Sequence, residues 1–232
     1  MWIKICGNTR LQDCLLAAEL GADAVGFVFA AGKRTVTTHD VAAITAHLPA
    51  SLEKIGVFTS NDVVEIAHSA NAAGLTGVQL HGRYDPDLVR GVIASLSPGQ
   101  PVRLLQVVHW DVGAAAADQI DDFSATIRHI ASDSLIQAIL VDSRTTQRTG
   151  GTGRTFDWQA AAPVLRATAL PVIVAGGLNP ENVTAAIDAL QSWGVDVSSG
   201  VESSPGVKNS AALKRFLQHA RISEEQIGSG SL

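Results

Sequence analysis

The sequence predicts a single-domain α/β protein, a (β/α)8 TIM barrel with eight parallel strands and a helix after each. Short apolar runs alternate eight times with longer segments whose apolar residues recur at spacings of three and four. Runs such as Val172–Ala175 are continuously apolar, as is typical of strands buried on both faces. The length of 232 residues is near the roughly 250 that such a barrel needs.

Eight apolar runs rich in Val and Ile are predicted to be the strands, because β-branched side chains suit a pleated, buried surface. In chain order they are Trp2–Ile5, Ala24–Phe29, Lys54–Phe58, Gly77–Leu80, Val102–Val108, Ala138–Val141, Val172–Ala175 and Val195–Val197.

Eight amphipathic segments are predicted to be the helices. Thr9 can precede the first, and Asn179-Pro180 is typical of an N-cap followed by proline at the first helical position. The predicted helices are Leu11–Leu20, His39–His47, Asp62–Ala73, Pro86–Ser95, Val112–Ala131, Asp157–Ala167, Pro180–Leu190 and Asn209–His219.

The structural alternative to a barrel is an open, doubly wound sheet. Such a sheet usually has a glycine-rich turn after its first strand, and Cys6-Gly7-Asn8 does not form G-x-G-x-x-G. No linker divides the chain, so we expect one barrel domain over residues 1–221. Residues 222–232, which end in Gly-Ser-Gly-Ser-Leu, are expected to be a flexible tail.

Composition and charge argue against several classes of protein. Hydrophobic residues make up 46% and the net charge is -5, with no run of Lys or Arg, so no nucleic-acid partner is expected. The two cysteines, Cys6 and Cys14, form neither a disulfide framework nor a zinc-binding spacing. No leader or long apolar segment is evident, so we expect a cytoplasmic protein without a membrane partner.

The ends of the predicted strands carry the candidate functional residues, because barrel enzymes place their chemistry in the loops that follow the strands. Cys6 follows the first strand, and a thiol there can act as a nucleophile or a redox group. The other candidates are Arg34, His81, Asp142, the pair Gly176-Gly177, and the segment Asp196–Gly200.

Glycines and a serine after the last two strands suggest a phosphate site. Gly176, Gly177, Ser199 and Gly200 let the backbone approach an anion, which is where many barrels bind phosphorylated substrates. The alternative is that these residues only form tight turns. The loop Gly150–Gly153 is expected to be either a mobile lid or a plain flexible connection.

The remaining candidates keep more than one interpretation. Asp142 could be functional, a helix cap or an ion-pair partner; His81 could be a base, a substrate contact or structural. Arg34 could be solvated or could bind a substrate carboxylate, and Cys14 is expected to pack in the core. The histidines show no metal-binding motif or His/carboxylate cluster, so no metal and no cofactor are expected.

Seven motifs in order resemble the phosphoribosylanthranilate isomerases of tryptophan biosynthesis, over residues 2 to about 220. In chain order the motifs are Lys4-Ile5-Cys6-Gly7, Gly26-Phe27-Val28-Phe29, Val78-Gln79-Leu80-His81-Gly82, Val141-Asp142-Ser143, Gly150-Gly151-Thr152-Gly153 with Phe156-Asp157-Trp158, Ala175-Gly176-Gly177-Leu178-Asn179-Pro180, and Val195–Glu202.

The resemblance implies an Amadori rearrangement of N-(5-phosphoribosyl)anthranilate, a small phosphorylated substrate, in a monomer or homodimer. By the same resemblance, Cys6 is the general base, Asp142 the general acid, and Arg34 faces the anthranilate carboxylate. His81 and Asp196 lie near the substrate, and the Gly176-Gly177 and Ser199-Gly200 segments hold the phosphate. Lys4, close to Cys6 in sequence, is a hypothetical modulator of the thiol pKa.

The sequence departs from the family pattern at three places. Ala30–Lys33 lacks a usual serine before Arg34, Lys208-Asn209 replaces Lys-Asp, and His109–Gln137 is longer than expected. The alternative functions are indole-glycerol-phosphate synthase, a sugar-phosphate epimerase, or a barrel that binds a phosphorylated metabolite without converting it. The synthase would need a strand-end lysine acid and the epimerase metal ligands, and neither is evident in the sequence.

Overall fold

The eight predicted strands form a closed parallel barrel, as the sequence predicts. The computed structural model describes residues 1–99, 101–144 and 155–229. Neighbouring strands pair in chain order, and the first strand pairs with the last. The strands are β1 (Trp2–Ile5), β2 (Ala24–Val28), β3 (Glu53–Phe58), β4 (Gly77–Leu80), β5 (Arg103–Asp111), β6 (Ala138–Arg144), β7 (Val172–Val174) and β8 (Gly194–Val197).

A helix follows each strand and covers the outside of the barrel. After β8, a 3₁₀ turn (Ser199–Val201) and a hairpin of β9 (Glu202–Ser204) and β10 (Val207–Lys208) precede the last helix. The helices are α1 (Leu11–Glu19), α2 (Thr38–Thr45), α3 (Val63–Ala72), α4 (Pro86–Ser95), α5 (Ala116–Ala131), α6 (Trp158–Ala167), α7 (Val183–Leu190) and α8 (Ser210–Ser229).

Two residues predicted to precede or cap helices do not do so, because their side chains bond elsewhere. Thr9 Oγ1 donates to the Gly206 carbonyl, and the first helix is preceded by Arg10, whose side chain makes no capping hydrogen bond. Asn179 Oδ1 accepts from the backbone N–H groups of Glu181 and Asn182 and closes a turn, so α7 begins three residues after Pro180, at Val183. Both polar side chains thus form hydrogen bonds to loop backbone and do not cap the helix that follows.

Strands β5 and β6 continue three residues beyond their predicted ends. Their pairing runs in register from Leu105 opposite Ala138 to Asp111 opposite Arg144. His109 and Asp142, which the sequence places in loops, therefore lie opposite each other within the paired sheet. The additional pairing between β5 and β6 fixes the backbone positions of His109 and Asp142.

The core has two layers, which follow from the alternation of side chains along each strand. One cluster of buried residues fills the barrel interior, with Leu105 and Val107 from β5, Ala138 and Leu140 from β6, and Ile173 from β7 among its members. The intervening residues, such as those at 104, 108, 139 and 141, join the larger cluster between the strands and the helices. The barrel is thus packed with side chains along its axis.

Helix α8 runs through Ser229, past the predicted start of the tail at residue 222, and residues 230–232 lie outside the described part of the chain. The boundary between barrel domain and flexible tail stays a prediction. Among the described residues, no helix has the length and apolar character needed to cross a membrane.

Candidate active site

A cavity of about 700 Å³ lies at the carboxyl ends of the strands. Its wall includes the predicted site residues Cys6, Arg34, His81, Asp142, Gly176, Gly177, Asp196 and Ser199. The structure therefore brings together side chains that are up to about 190 residues apart in sequence. The ninth predicted residue, Gly200, packs under this wall: a Cβ atom there would lie 1.9 Å from the Leu178 carbonyl oxygen.

Strand alternation explains why these side chains share one cavity. The interior positions of β6 are Ala138 and Leu140, and two residues further on the same face carries Asp142. On β5 the same spacing leads from Leu105 and Val107 to His109. Each strand therefore ends its apolar interior row with a polar group, and of the two Asp142 lines the cavity.

A buried ion pair crosses the floor of the cavity. The Lys4 ammonium lies 3.0 Å from Asp196 Oδ2 and donates to Gln79 Oε1 at 2.7 Å, and the lysine side chain is fully buried. Burial alone would lower the pKa of Lys4, but Asp196 and Cys6 raise it above its ordinary value. Lys4 is therefore a fixed positive charge between Cys6 and Asp196.

The Cys6 thiol is buried beside this charge, yet its surroundings as a whole disfavour ionisation to the thiolate. Burial raises the pKa of Cys6 above its ordinary value, and the Lys4 ammonium offsets only part of that rise. The hypothesis that Lys4 modulates Cys6 thus has a geometric basis, but the charge does not overcome desolvation. Gly26 makes room for the thiol: a Cβ there would lie 2.7 Å from Cys6 Sγ.

Asp142 is a carboxylic acid with an unusual proton affinity. Burial and the neighbouring Asp196 carboxylate raise the pKa of Asp142 to about 7, against the lowering effect of Lys4 and the Ser143 backbone. A carboxyl group of that pKa carries its proton near neutral pH and can donate it to a substrate oxygen. Of the interpretations that the sequence left open, this geometry favours a functional acid.

His81 and His109 form an edge-to-face pair next to Asp142, with ring centroids 4.8 Å apart. Burial, His109 and Lys4 together lower the pKa of His81 to about 4, so this imidazole is neutral. His109 is not predicted as a site residue, because the apolar run of β5 ends at Val108. It was also wrong that histidines and carboxylates do not cluster, since ligand atoms of His81, His109 and Asp142 lie within 4.8 Å of one another.

A second charged network joins the rim of the cavity to Cys6. Arg34 Nε donates to the two Glu202 oxygens at 2.9 and 3.1 Å, and Lys208 Nζ donates to Glu202 Oε1 at 2.9 Å and to the Cys6 carbonyl. Burial would raise the pKa of Glu202, but Arg34 and Lys208 lower it, so the carboxylate stays charged. Sequence reasoning gave Glu202 and Lys208 no role, since 168 residues separate Glu202 from Arg34.

The departures from the family pattern leave this framework intact. Asn209 still caps α8, because its side-chain oxygen accepts from the Ala212 backbone N–H at 2.9 Å. Ala30–Lys33 line the cavity beside Arg34. Gly150–Gly153, proposed as a lid or a connection, lies outside the described residues.

The predicted phosphate segments form one wall of the cavity. Gly176 and Gly177 have φ angles of +83° and +68°, which L side chains rarely adopt. A Cβ at Gly176 would also lie 2.3 Å from Ser143 Oγ. The backbone thus approaches the end of β6 as closely as only glycine permits, and Ser199 begins the 3₁₀ turn next to it.

Comparison with known proteins identifies relatives across nearly the whole chain. Residues 3–219 match the family of N-(5'-phosphoribosyl)anthranilate (PRA) isomerase. The chain is 37% identical to N-(5'-phosphoribosyl)anthranilate isomerase of Desulforudis audaxviator, over 94% of this chain and 97% of that protein.

Solved structures agree with this match. The crystal structure of phosphoribosyl anthranilate isomerase from Thermotoga maritima is similar with a TM-score of 0.79 and 34% identity, over 95% of this chain and 98% of that one. A crystal structure of phosphoribosyl anthranilate isomerase in complex with reduced 1-(o-carboxyphenylamino)-1-deoxyribulose 5-phosphate has a TM-score of 0.76 and 32% identity, with the same coverage.

Proposed function

Because the chain belongs to the N-(5'-phosphoribosyl)anthranilate isomerase family and is an isomerase of tryptophan biosynthesis, we propose that Cys6 and Asp142 perform its two proton transfers. The reaction is the Amadori rearrangement of N-(5'-phosphoribosyl)anthranilate to 1-(2-carboxyphenylamino)-1-deoxyribulose 5-phosphate. It needs an acid for the ring oxygen and a base for the C2′ proton. Both residues line the one cavity at the carboxyl ends of the strands.

In the first step, Asp142 gives its proton to the ribose ring oxygen. The bond between C1′ and this oxygen breaks, and the nitrogen lone pair forms a double bond to C1′. This yields a protonated Schiff base, whose C2′ proton is acidic. The raised pKa of Asp142, about 7, supports its role, because the carboxyl group is still protonated near neutral pH. This is the single observation that carries the assignment of the acid.

In the second step, the Cys6 thiolate removes the C2′ proton. The electron pair of the C2′–H bond forms a C1′–C2′ double bond and returns electrons to the nitrogen, giving an enolamine. Protonation of C1′ and loss of the C2′ hydroxyl proton then give the ketone. No covalent intermediate on Cys6 is required. Lys4 supports this step, because its buried positive charge favours the thiolate over the thiol.

The other site residues are proposed to hold the substrate. A guanidinium has five N–H donors, so Arg34 retains donors for the anthranilate carboxylate after it binds Glu202. Asp196 Oδ1 is buried and has no hydrogen-bond partner among the described residues, so it can accept from a sugar hydroxyl. Neutral His81 also lines the cavity and is proposed to contact the substrate. Gly176, Gly177, Ser199 and Gly200 are proposed to bind the phosphate through backbone N–H groups.

We further propose that the protein is cytoplasmic and works as a monomer or homodimer on this one small phosphorylated substrate. All the proposed site residues come from a single chain, so a monomer would contain a complete site. Sedimentation of the purified protein, with activity measured across the same concentrations, would test this; activity confined to species larger than a dimer would reject it.

The decisive experiment follows the fluorescence of phosphoribosylanthranilate as it disappears. Cys6→Ala and Asp142→Asn should each lower kcat by at least about 100-fold, the usual range for general acid–base catalysis. Cys14→Ala is the matched control, because Cys14 is a buried thiol on α1 outside the cavity, and it should keep its turnover. Near-normal kcat in folded Cys6→Ala or Asp142→Asn protein would reject the assigned roles.

A further inference from the structure

Three adjacent strands, β4, β5 and β6, bring two imidazoles and one carboxylate together, and two of these groups, His81 and Asp142, line the cavity. His81 directly follows β4, and His109 on β5 is the register partner of Asp142 on β6. One ligand atom from each of the three residues lies within 4.8 Å of the other two. Side chains held in register on neighbouring strands are positioned by the sheet and not by a flexible loop.

The surroundings of the two imidazoles are compatible with metal binding. His109 Nε2 lies 3.2 Å from the His81 carbonyl oxygen, which can only accept, so Nε2 is the donor and in the neutral imidazole Nδ1 carries the lone pair. Metal-binding histidines commonly donate their second N–H to a backbone carbonyl in this way. His81 Nδ1 is buried and has no hydrogen-bond partner among the described residues. A buried polar atom without a partner indicates that something else can occupy this point.

We propose that His81, His109 and Asp142 bind a divalent transition-metal ion such as Zn²⁺, and that this ion inhibits the enzyme by holding Asp142 as a carboxylate. Two imidazole nitrogens and one carboxylate oxygen suit Zn²⁺, Co²⁺ or Cu²⁺, whereas Mg²⁺ prefers oxygen ligands alone. Zinc ligands in a tetrahedral site stand closer than 4.8 Å, so small rotations of the imidazoles complete the site. Water or substrate can take the open position toward the cavity.

The inhibitory effect, but not the binding, rests on the proposed function. A metal-bound carboxylate has no proton to give to the ribose ring oxygen. The ion also stands where the substrate must lie, because His81 and Asp142 both line the cavity. Inhibition should therefore be relieved by a chelator and should compete with substrate.

The test uses Co²⁺ as a spectroscopic probe and Zn²⁺ as an inhibitor of the whole protein. Wild type should bind one Co²⁺ with a visible d–d absorption. His109→Gln should bind it more weakly by at least the roughly 10–100-fold that loss of an outer-shell partner costs, because it removes a direct ligand. His68→Gln is the matched control, since His68 is an exposed histidine on α3, and it should bind Co²⁺ like wild type. Mg²⁺ should neither displace Co²⁺ nor slow turnover.

Each result decides the proposal. Lack of a Co²⁺ spectrum in wild type, or an unchanged spectrum in His109→Gln, overturns the site. A strong sulfur-to-cobalt charge-transfer band also overturns it, because that band would place the ion on Cys6. A spectrum that depends on His109, without inhibition by Zn²⁺, supports the site and instead contradicts the acid role of Asp142. Full activity of metal-free Asp142→Asn protein would likewise reject that role and leave the spectrum as evidence for the site.

Discussion

Two charged networks flank Cys6, and they differ in what they contact. The inner pair, Lys4 and Asp196, lies at the cavity floor, where its charges face the Cys6 thiol and the Asp142 carboxyl group. The rim network of Arg34, Glu202 and Lys208 contacts Cys6 through its backbone carbonyl, and the Lys208 charge lowers the pKa of Cys6 less than Lys4 does. The inner pair therefore has the larger effect on proton affinities, whereas the rim network mainly holds Arg34 and Lys208 in position.

Breaking the inner pair should have the largest effect. Lys4→Met leaves Asp196 buried without its cation, and removal of one partner from a buried pair costs about 3–5 kcal/mol. Loss of the positive charge should also raise the pKa of Cys6 and of Asp142 further. Urea unfolding measures the first effect, and the pH dependence of Cys6 alkylation in a Cys14→Ala background measures the second.

The matched control for this substitution is Lys54→Met. Lys54 on β3 is also a buried lysine, but its ammonium donates to the Pro49 carbonyl and does not line the cavity. Its replacement should cost about 1 kcal/mol and leave Cys6 alkylation unchanged. Equal alkylation profiles in Lys4→Met and wild type would contradict a role of Lys4 in thiol ionisation.

Breaking the rim network should have a smaller and different effect. Glu202→Gln removes the anion that holds Arg34 and Lys208, at a cost of about 1.5–3 kcal/mol in the free energy of unfolding. Because Arg34 then loses its fixed orientation, KM should rise more than kcat falls. Glu181→Gln breaks an exposed pair with Arg215 and should change neither constant. A fall in kcat at constant KM would show that the rim network acts on proton transfer instead.

The pH dependence of kcat/KM tests the inner pair without a mutation. Turnover needs protonated Asp142 and ionised Cys6, but the pKa of Asp142 is about 7 and that of Cys6 lies above its ordinary value. Below about pH 7 the active fraction grows about tenfold per pH unit as Cys6 ionises. Above about pH 7, loss of the Asp142 proton offsets the continuing ionisation of Cys6. The value of kcat/KM therefore stays level up to the pKa of Cys6.

The opposite order of pKa values gives a different curve. If Cys6 ionised below Asp142, kcat/KM would fall about tenfold per pH unit above pH 7. Asp142→Asn should remove the break near pH 7 from the residual activity, which would then rise until Cys6 is ionised. A break that persists in Asp142→Asn would assign it to another group.

Local patterns in the sequence predict the barrel and the position of Cys6, Asp142 and the glycine segments, because strand order places all strand ends at one face. They do not predict His109, since β5 continues beyond its apolar run and only pairing with β6 shows this. They also miss the Glu202 contacts and the space at Gly26, which depend on residues brought together by the closed barrel. Alternation of side chains can be seen in a short stretch of sequence. Ion pairs and close packing across the barrel depend on residues that are far apart in sequence.

The pairing of β1 with β8 determines when, during synthesis of the chain, the surroundings of Cys6 can be completed. Lys4 and Asp196 are register partners across this seam, so the inner pair joins the first and last strands of the chain. During synthesis Cys6 leaves the ribosome early, yet its charged neighbours Asp196, Glu202 and Lys208 are made near the end. The Cys6 thiol therefore acquires its complete set of charged neighbours only when the last strand closes the barrel.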